Sequence, residues 1–248
     1  MNAFNYVGKV ILEGNTIKEK LFKDTEITDV YVNVSAVPDY AFDECYDLVS
    51  VAFGPSVRSV GKYLFDDSEY LESIIVEDGM EQVGDYAFKI NSPYKACTIV
   101  LPDSIKSMGQ GVFAGLWINS IRLPSSMTRI ENRTFEDVAL PEDFAIPDGI
   151  VEIGDWAFDS CSFHYEGVIL TLPDSLETIE ADAFYNAACI NVLNIPASVT
   201  NVGRTALDIA ASDTFTPVIN LPFKENEKPA GWDDQFVMNR YITLNYAE

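Results

Sequence analysis

The sequence is poor in histidine, cysteine and basic residues. Its 248 residues include one His, four Cys and 16 Lys and Arg, against 39 Asp and Glu. A zinc site needs three or four ligands, and Cys161 and His164 have no second cluster of cysteine or histidine nearby, so we expect no metal centre. The formal charge of −23 repels nucleic acid and anionic membranes, and we expect neither as a partner.

Two further absences concern compartment. Cys45, Cys97, Cys161 and Cys189 show no readable disulfide framework, so free thiols are expected. No stretch approaches 18 apolar residues, so no membrane insertion is expected. The N-terminal residues do not have the layout of a signal peptide, and the localisation is left open.

What the sequence does contain is a repeat. Its template is φ-x-φ-P-D/S-S/G-φ-x-x-φ-G-x-x-A-F, where φ is aliphatic, and it is plainest in Leu101–Phe113, Leu123–Phe135 and Leu172–Phe184. The Phe position recurs every 20 to 26 residues, at Phe22, Phe42, Phe65, Phe88, Phe113, Phe135, Phe158, Phe184 and Leu207. A fixed period of this length is typical of a solenoid.

Each part of the template has a physical reading. The φ-x-φ unit alternates with period two, as in a short strand with one apolar face, and the Pro after it ends the strand. Asp or Ser after the Pro favours a tight turn, and the Phe fills the interior. We therefore predict an α/β fold: a right-handed solenoid of repeats, mainly a parallel sheet of about eleven short strands, with turns and short helical segments on the other side.

The repeat predicts one domain over residues 1–248. Residues 1–9 are a lead-in or cap, residues 10–222 carry the repeats, and residues 223–248 form a closing segment with a last strand at 241–246. Insertions between the Phe and the next strand are expected to form loops along one edge, at Ile90–Lys95, Phe163–Gly167 and Ala210–Thr216.

The repeated P-x-S-φ-x-x-I-G-x-x-A-F pieces, Cys45 and Cys161 three residues after a Phe, and Lys228–Asp234 resemble the BspA-like leucine-rich repeats, also called the Treponema pallidum type. The resemblance covers about residues 10–245. It implies a curved repeat fold, adhesion or partner binding, and a bacterial surface or secreted location. It implies no reaction.

Catalytic alternatives have weaker support. Cys161 and His164 would need an orienting group and an oxyanion site to act as a nucleophile pair. The glycines of Gly109–Gly115 lie in a repeat position, with no strand running into them. The recurring Asp residues suit turns better than calcium. We assign no catalytic, cofactor-binding or metal residues and expect no enzyme.

The middle residue of each φ-x-φ unit, and the residue before the unit, point outward in the predicted sheet. These rows and the inserted loops give the candidate partner-binding residues Tyr31, Ile75, Val100, Arg122, Ile169, Val192, Val218, Tyr94, His164 and Tyr165. A run of Ile169, Val192 and Val218 is expected to continue to Tyr241. Strand propensity alone also favours apolar residues at such positions, and this alternative stays open.

We therefore expect a non-enzymatic protein-binding module, adhesin-like, acting through the sheet face and the loops, with an unidentified protein partner and no cofactor. The alternative is a structural subunit that packs into a larger assembly through the solenoid surface or its ends. Self-association through the terminal strands, Val10–Leu12 and Tyr241–Tyr246, is a further hypothesis.

Overall fold

The computed structural model describes residues 2–6, 9–14, 17–23, 25–91, 94–165 and 167–248. Within these residues the regular secondary structure consists of short strands joined by turns. The chain divides into two compact units, Met1–Ser126 (unit 1) and Met127–Glu248 (unit 2).

Unit 1 has two ladders of strands. Its strands are β1 (Asn2–Tyr6), β2 (Lys9–Gly14), β3 (Asp29–Val34), β4 (Ala36–Val37), β5 (Ser50–Phe53), β6 (Ser59–Val60), β7 (Ser73–Val76), β8 (Gln82–Val83), β9 (Cys97–Val100), β10 (Ser107–Met108) and β11 (Ile118–Arg122). A seven-stranded sheet has the order β1-β2-β3-β5-β7-β9-β11, antiparallel only between β1 and β2. The two-residue strands β10, β8, β6 and β4 form a second, parallel ladder.

Unit 2 repeats this arrangement. Its strands are β12 (Arg129–Ile130), β13 (Ala139–Leu140), β14 (Glu152–Ile153), β15 (Ser162–Phe163), β16 (Val168–Thr171), β17 (Thr178–Ile179), β18 (Ile190–Asn194), β19 (Asn201–Val202), β20 (Val218–Asn220), β21 (Gly231–Trp232) and β22 (Thr243–Asn245). The longer strands form the sheet β16-β18-β20-β22, and the short ones form β12-β14-β17-β19-β21 and β13-β15, all parallel. Each unit is thus a parallel β-solenoid, with about ten turns in the chain as a whole.

The Phe position forms the core, as the sequence predicts. All nine side chains at this position are buried. Neighbouring rings stack within each unit, with centroids 5.5 Å apart for Phe42 and Phe65 and 4.9 Å apart for Phe158 and Phe184. One coil cannot bury its ring alone. Stacking of the next coil buries the ring and pairs the strands at the same time.

The prediction of short helical segments is wrong, and so is the α/β class, because the described residues contain no helix. The residue two positions before each Phe-position residue has a left-handed backbone, with φ between 48° and 62°: Lys20, Tyr40, Tyr63, Tyr86, Gly111, Arg133, Trp156, Asp182 and Thr205. A left-handed residue in every coil interrupts a right-handed helix.

The backbone of this segment bonds to the next coil at alternate residues, and local turn bonds such as Asp43 N–H to the Tyr40 carbonyl, at 3.3 Å, lie between them. The N–H groups of Tyr40, Phe42 and Glu44 donate to the carbonyls of Lys62, Leu64 and Asp66, at 2.9 to 3.0 Å. Hydrogen bonds between coils therefore satisfy groups that a helix would pair internally.

Two predicted strands differ from the structure. Phe144 and Ile146 are buried, but they lie in no strand, because the Phe144 N–H closes a turn onto the Pro141 carbonyl at 3.2 Å. The last strand begins at Thr243 rather than at Tyr241, and it pairs Leu244 with Ile219.

Candidate functional site

The outward row of unit 1 is in register across five strands. Tyr31, Ala52, Ile75, Val100 and Arg122 lie side by side on β3, β5, β7, β9 and β11. Ile75 is 41% exposed and Val100 is 49% exposed. They line a shallow concavity of about 480 Å³ with Pro55, Val76, Glu77, Asp78, Leu101 and Pro102. We call Ile75, Val100 and these neighbours the face patch.

Tyr31 and Arg122, the other candidates in this row, have different surroundings. Tyr31 is half-buried, and its hydroxyl packs against Gly54. A Cβ added to Gly54 would lie 2.3 Å from the Tyr31 hydroxyl oxygen. Burial and the nearby Glu77 carboxylate raise the pKa of Tyr31. Arg122 is exposed, with its guanidinium 3.6 Å from the Asp103 carboxylate.

The outward positions of unit 2 form two rows. Ile169, Val192 and Val218 are in register, with Ile169 the most exposed of them. The row continues to Thr243, so the prediction that it reaches Tyr241 is wrong. The difference comes from the register of the last strand, in which Val218 lies opposite Thr243.

The second row of unit 2 is polar. Asn194 donates to Thr171 Oγ1 at 2.9 Å, Asn220 donates to Asn194 Oδ1 at 2.6 Å, and Asn245 donates to Asn220 Oδ1 at 2.8 Å. These positions correspond, within the coil, to Ile75 and Val100 of unit 1. The fold therefore accepts polar residues where unit 1 exposes aliphatic ones.

The candidate loop residues lie in two places. Tyr94 contacts Tyr70 in unit 1, with ring centroids 5.1 Å apart. Tyr165 lines a concavity of about 240 Å³ in unit 2 with Ile169 and Glu142, and His164 is exposed. Phe163 was predicted on the inserted loop, but it is buried in β15, where pairing with β13 draws it into the core. Residues 92, 93 and 166 of the insertions, and 1, 7 and 8 of the lead-in, lie outside the described residues.

Sequence reasoning missed a row of exposed aromatic side chains in unit 1. Tyr46, Tyr70, Tyr94 and Trp117 each precede one of the adjacent strands β5, β7, β9 and β11, and they are between 45% and 61% exposed. Of these only Tyr94 was a candidate. We call the four residues the aromatic row. Its sequence signal is an aromatic residue one to four positions before each of these strands.

The catalytic alternatives gain no support from the cysteines. Cys45, Cys97 and Cys161 are buried, and burial raises the pKa of their thiols, to about 12 for Cys45 and Cys97. A buried thiol that resists ionisation is a poor nucleophile or metal ligand. In the described part of the chain no three His, Cys, Asp or Glu residues group as metal ligands, and no helix is long and apolar enough to span a membrane.

The most concentrated charge cluster in unit 2 surrounds Arg129. Its guanidinium lies 2.9 Å from Glu180, 3.1 Å from Glu131 and 3.2 Å from Glu152. Burial and the neighbouring Glu152 raise the pKa of Glu180, while Arg129 acts in the opposite direction. One cation thus offsets the mutual repulsion of three carboxylates.

Arg129→Met is expected to make stability depend on pH. Without the cation the pKa of Glu180 rises further, so the folded state binds a proton more tightly than the unfolded state does. Stability then increases as the pH falls towards that pKa. We expect a loss of roughly 1–2 kcal/mol near pH 7, because the groups are partly solvated, and a smaller loss near pH 5. Urea unfolding at both pH values measures it.

The control for this experiment is Arg122→Met, which removes a well-exposed charge whose ion-pair partner among the described residues is Asp103. We expect a change within about 0.5 kcal/mol at either pH. Equal losses for Arg129→Met at the two pH values would contradict the prediction.

Stacked coils with an apolar repeat and a parallel sheet on one side define a leucine-rich-repeat solenoid. The BspA type leucine-rich repeat region matches this chain in six copies, over residues 15–140 and 94–212. The chain belongs to this family, which confirms the resemblance seen in the repeat. No curated protein matches it.

Solved structures of leucine-rich repeat proteins are similar to this chain. A leucine-rich repeat protein from Bacteroides ovatus is 18% identical with a TM-score of 0.66, and the alignment covers 98% of this chain and 58% of that one. The T. pallidum leucine-rich repeat protein is 22% identical with a TM-score of 0.47, over 82% and 83% of the two chains. A leucine-rich cell surface protein from Faecalibacterium prausnitzii is 16% identical with a TM-score of 0.41, over 100% and 95%. With 58% of the Bacteroides ovatus protein covered, the chain spans less than two thirds of the length of that protein.

Proposed function

We propose that this chain is a non-enzymatic protein-recognition module, and that it binds its partner through the face patch of unit 1. The observation that carries the proposal is the contrast between the two outward rows. Unit 1 exposes Ile75 and Val100 on adjacent strands, where unit 2 has hydrogen-bonded Thr and Asn. This difference supports a contact surface in unit 1, because strand propensity acts on both rows alike.

The surroundings of the face patch support a contact surface. Two prolines, Val76 and Leu101 line the concavity together with the carboxylates Glu77 and Asp78. An apolar centre with a polar rim is the usual composition of a protein interface. Adhesin-like recognition, which membership of the BspA-type family suggests, would use such a surface, with Tyr165 and Ile169 as a second contact on unit 2.

The test replaces Ile75 and Val100 together by Asn, which reproduces the residues of the unit 2 row. The partner is identified by affinity chromatography of proteins from the source organism and its surroundings. Its affinity for wild type and for the double variant is then measured by titration. We expect the double variant to bind about tenfold more weakly or worse, because two aliphatic side chains leave the interface.

The control is Asp148→Ser with Asp174→Ser, which changes two exposed turn residues of unit 2 and should alter affinity little at physiological salt. Thermal unfolding of both variants confirms that they fold. Unchanged affinity of the face variant would refute the proposal. If the face variant instead abolished self-association of the chain, the role of a structural subunit would replace it.

A further inference from the structure

The aromatic row is a second surface of unit 1, distinct from the face patch. Tyr46, Tyr70, Tyr94 and Trp117 lie one to four residues before four adjacent strands, and all are about half exposed. The rings of Tyr70 and Tyr94 contact each other at 5.1 Å, close to the spacing of neighbouring strands at about 4.8 Å. Tyr70 and Tyr94 therefore present a paired aromatic surface that spans two neighbouring coils, with Tyr46 and Trp117 in the coils on either side.

Carboxylates lie beside Tyr70. Glu26 and Asp47 line a concavity of about 500 Å³ with Thr28, Val49 and Tyr70. Glu69 precedes Tyr70 in sequence, and Glu72 follows it. Glu72 has Lys95 at 3.6 Å, but for Glu26, Asp47 and Glu69 no lysine or arginine among the described residues lies within ion-pair distance.

Aromatic faces beside carboxylates suit one kind of ligand group. A cation within about 6 Å of a ring centroid is attracted by the ring, and arginine makes this contact more often than lysine. The planar guanidinium also fits a carboxylate through two parallel hydrogen bonds. A ligand that offers arginine side chains would use both features of the row.

Unit 2 contains a guanidinium that contacts both an aromatic ring and a carboxylate. The guanidinium of Arg133 lies 5.4 Å from the ring centroid of Trp156 and pairs with the Glu136 carboxylate. In unit 1 the aromatic and acidic groups are present on the surface, and the guanidinium would come from the ligand.

We propose that the aromatic row binds an arginine-bearing, extended segment of a partner protein. The arginine side chains lie over the rings and pair with Glu26, Asp47 and Glu69. The formal charge of −23 attracts such a segment over long range, and the row fixes where it binds.

The test uses fluorescein-labelled peptides made of Gly-Arg repeats, with Gly-Lys and Gly-citrulline peptides of the same length, and measures binding by fluorescence anisotropy. We expect the arginine peptide to bind most tightly, the lysine peptide more weakly, and the neutral citrulline peptide not at all. Tyr70→Ala with Tyr94→Ala should weaken binding of the arginine peptide about tenfold.

Matched controls separate the row from general attraction to an acidic protein. Tyr185→Ala with Met238→Ala removes two large exposed side chains of unit 2 and should leave binding unchanged. Glu26→Gln with Asp47→Asn should weaken binding more than Asp148→Asn with Asp174→Asn, which changes the net charge equally. Ile75→Asn with Val100→Asn should retain peptide binding, so failure of the face patch and failure of the aromatic row are distinguishable.

Three outcomes would overturn the proposal. Equal loss from the two charge variants would reduce the binding to non-specific electrostatics. Binding that is indifferent to Tyr70 and Tyr94 would remove the rings from it. The third outcome concerns a neutral oligosaccharide. If it bound wild type, bound the double tyrosine variant more weakly and was not displaced by the arginine peptide, the row would be a sugar-binding surface.

Discussion

Phe158→Ala is expected to lower the free energy of unfolding by about 3–5 kcal/mol, because it removes a ring from the middle of the unit 2 core. Phe158 is fully buried and contacts Phe184 at 4.9 Å, Phe135 at 5.1 Å and Phe144 at 6.1 Å between ring centroids. The coil backbone is held by hydrogen bonds to the next coil, including the Phe158 N–H to the Ala183 carbonyl at 2.7 Å. The coils therefore cannot close over the cavity.

Urea denaturation of wild type and variant measures this loss. Phe158→Leu is the matched variant, because Leu207 fills the same coil position in the native sequence, and we expect it to lose less than half as much. Tyr165→Ala, at an exposed aromatic of the same unit, should change stability by no more than about 0.5 kcal/mol. A Phe158→Ala loss no larger than that of Tyr165→Ala would contradict a core role for the Phe position.

The buried positions could be predicted from the sequence because the apolar repeat reflects which side chains face the interior. Val51 and Phe53, Ile74 and Val76, and the Phe positions that follow are all buried as the template requires. The exception is instructive. Phe144 and Ile146 have the right spacing and are buried, but Pro141 starts a turn that removes them from the strand row.

The absence of helices from the described residues could not be predicted in the same way. The left-handed position holds Lys, Tyr, Gly, Arg, Trp, Asp or Thr in different coils, and only Gly111 and, more weakly, Asp182 are residue types that favour positive φ. Hydrogen bonds to the adjacent coil favour this conformation, and they depend on residues more than twenty positions away. Local sequence propensity therefore gives no indication of these hydrogen bonds between coils.

The candidate site was predicted only in part. The register of Tyr31, Ile75, Val100 and Arg122 followed from the repeat, because equivalent positions of stacked coils must be neighbours. The aromatic row could not be predicted in this way. Tyr46 and Trp117 are candidates for a contact surface only because they are exposed, and the sequence does not distinguish an exposed aromatic residue from a buried one.

Trp232→Ala is expected to destabilise the C-terminal coils by about 3–5 kcal/mol. Trp232 is 2% exposed, its ring lies edge-on to Phe223 at 4.9 Å and to Phe236 at 5.2 Å, and its indole N–H donates to the Val199 carbonyl at 3.2 Å. The substitution removes the shared contact of both aromatic rings and leaves that carbonyl without its donor. β21, which holds Trp232, also pairs with β19, so the loss should spread along this ladder.

Hydrogen exchange with mass spectrometry, together with urea denaturation, locates and measures this effect. Trp232→Phe keeps a ring between Phe223 and Phe236 but removes the N–H, so we expect a loss of about 1–3 kcal/mol from the unpaired Val199 carbonyl. Met238→Ala, at an exposed position in the same segment, is the control and should change little. If Trp232→Ala left the exchange of β19 and β21 at wild-type rates, the closing segment would contribute no stability to the coil before it.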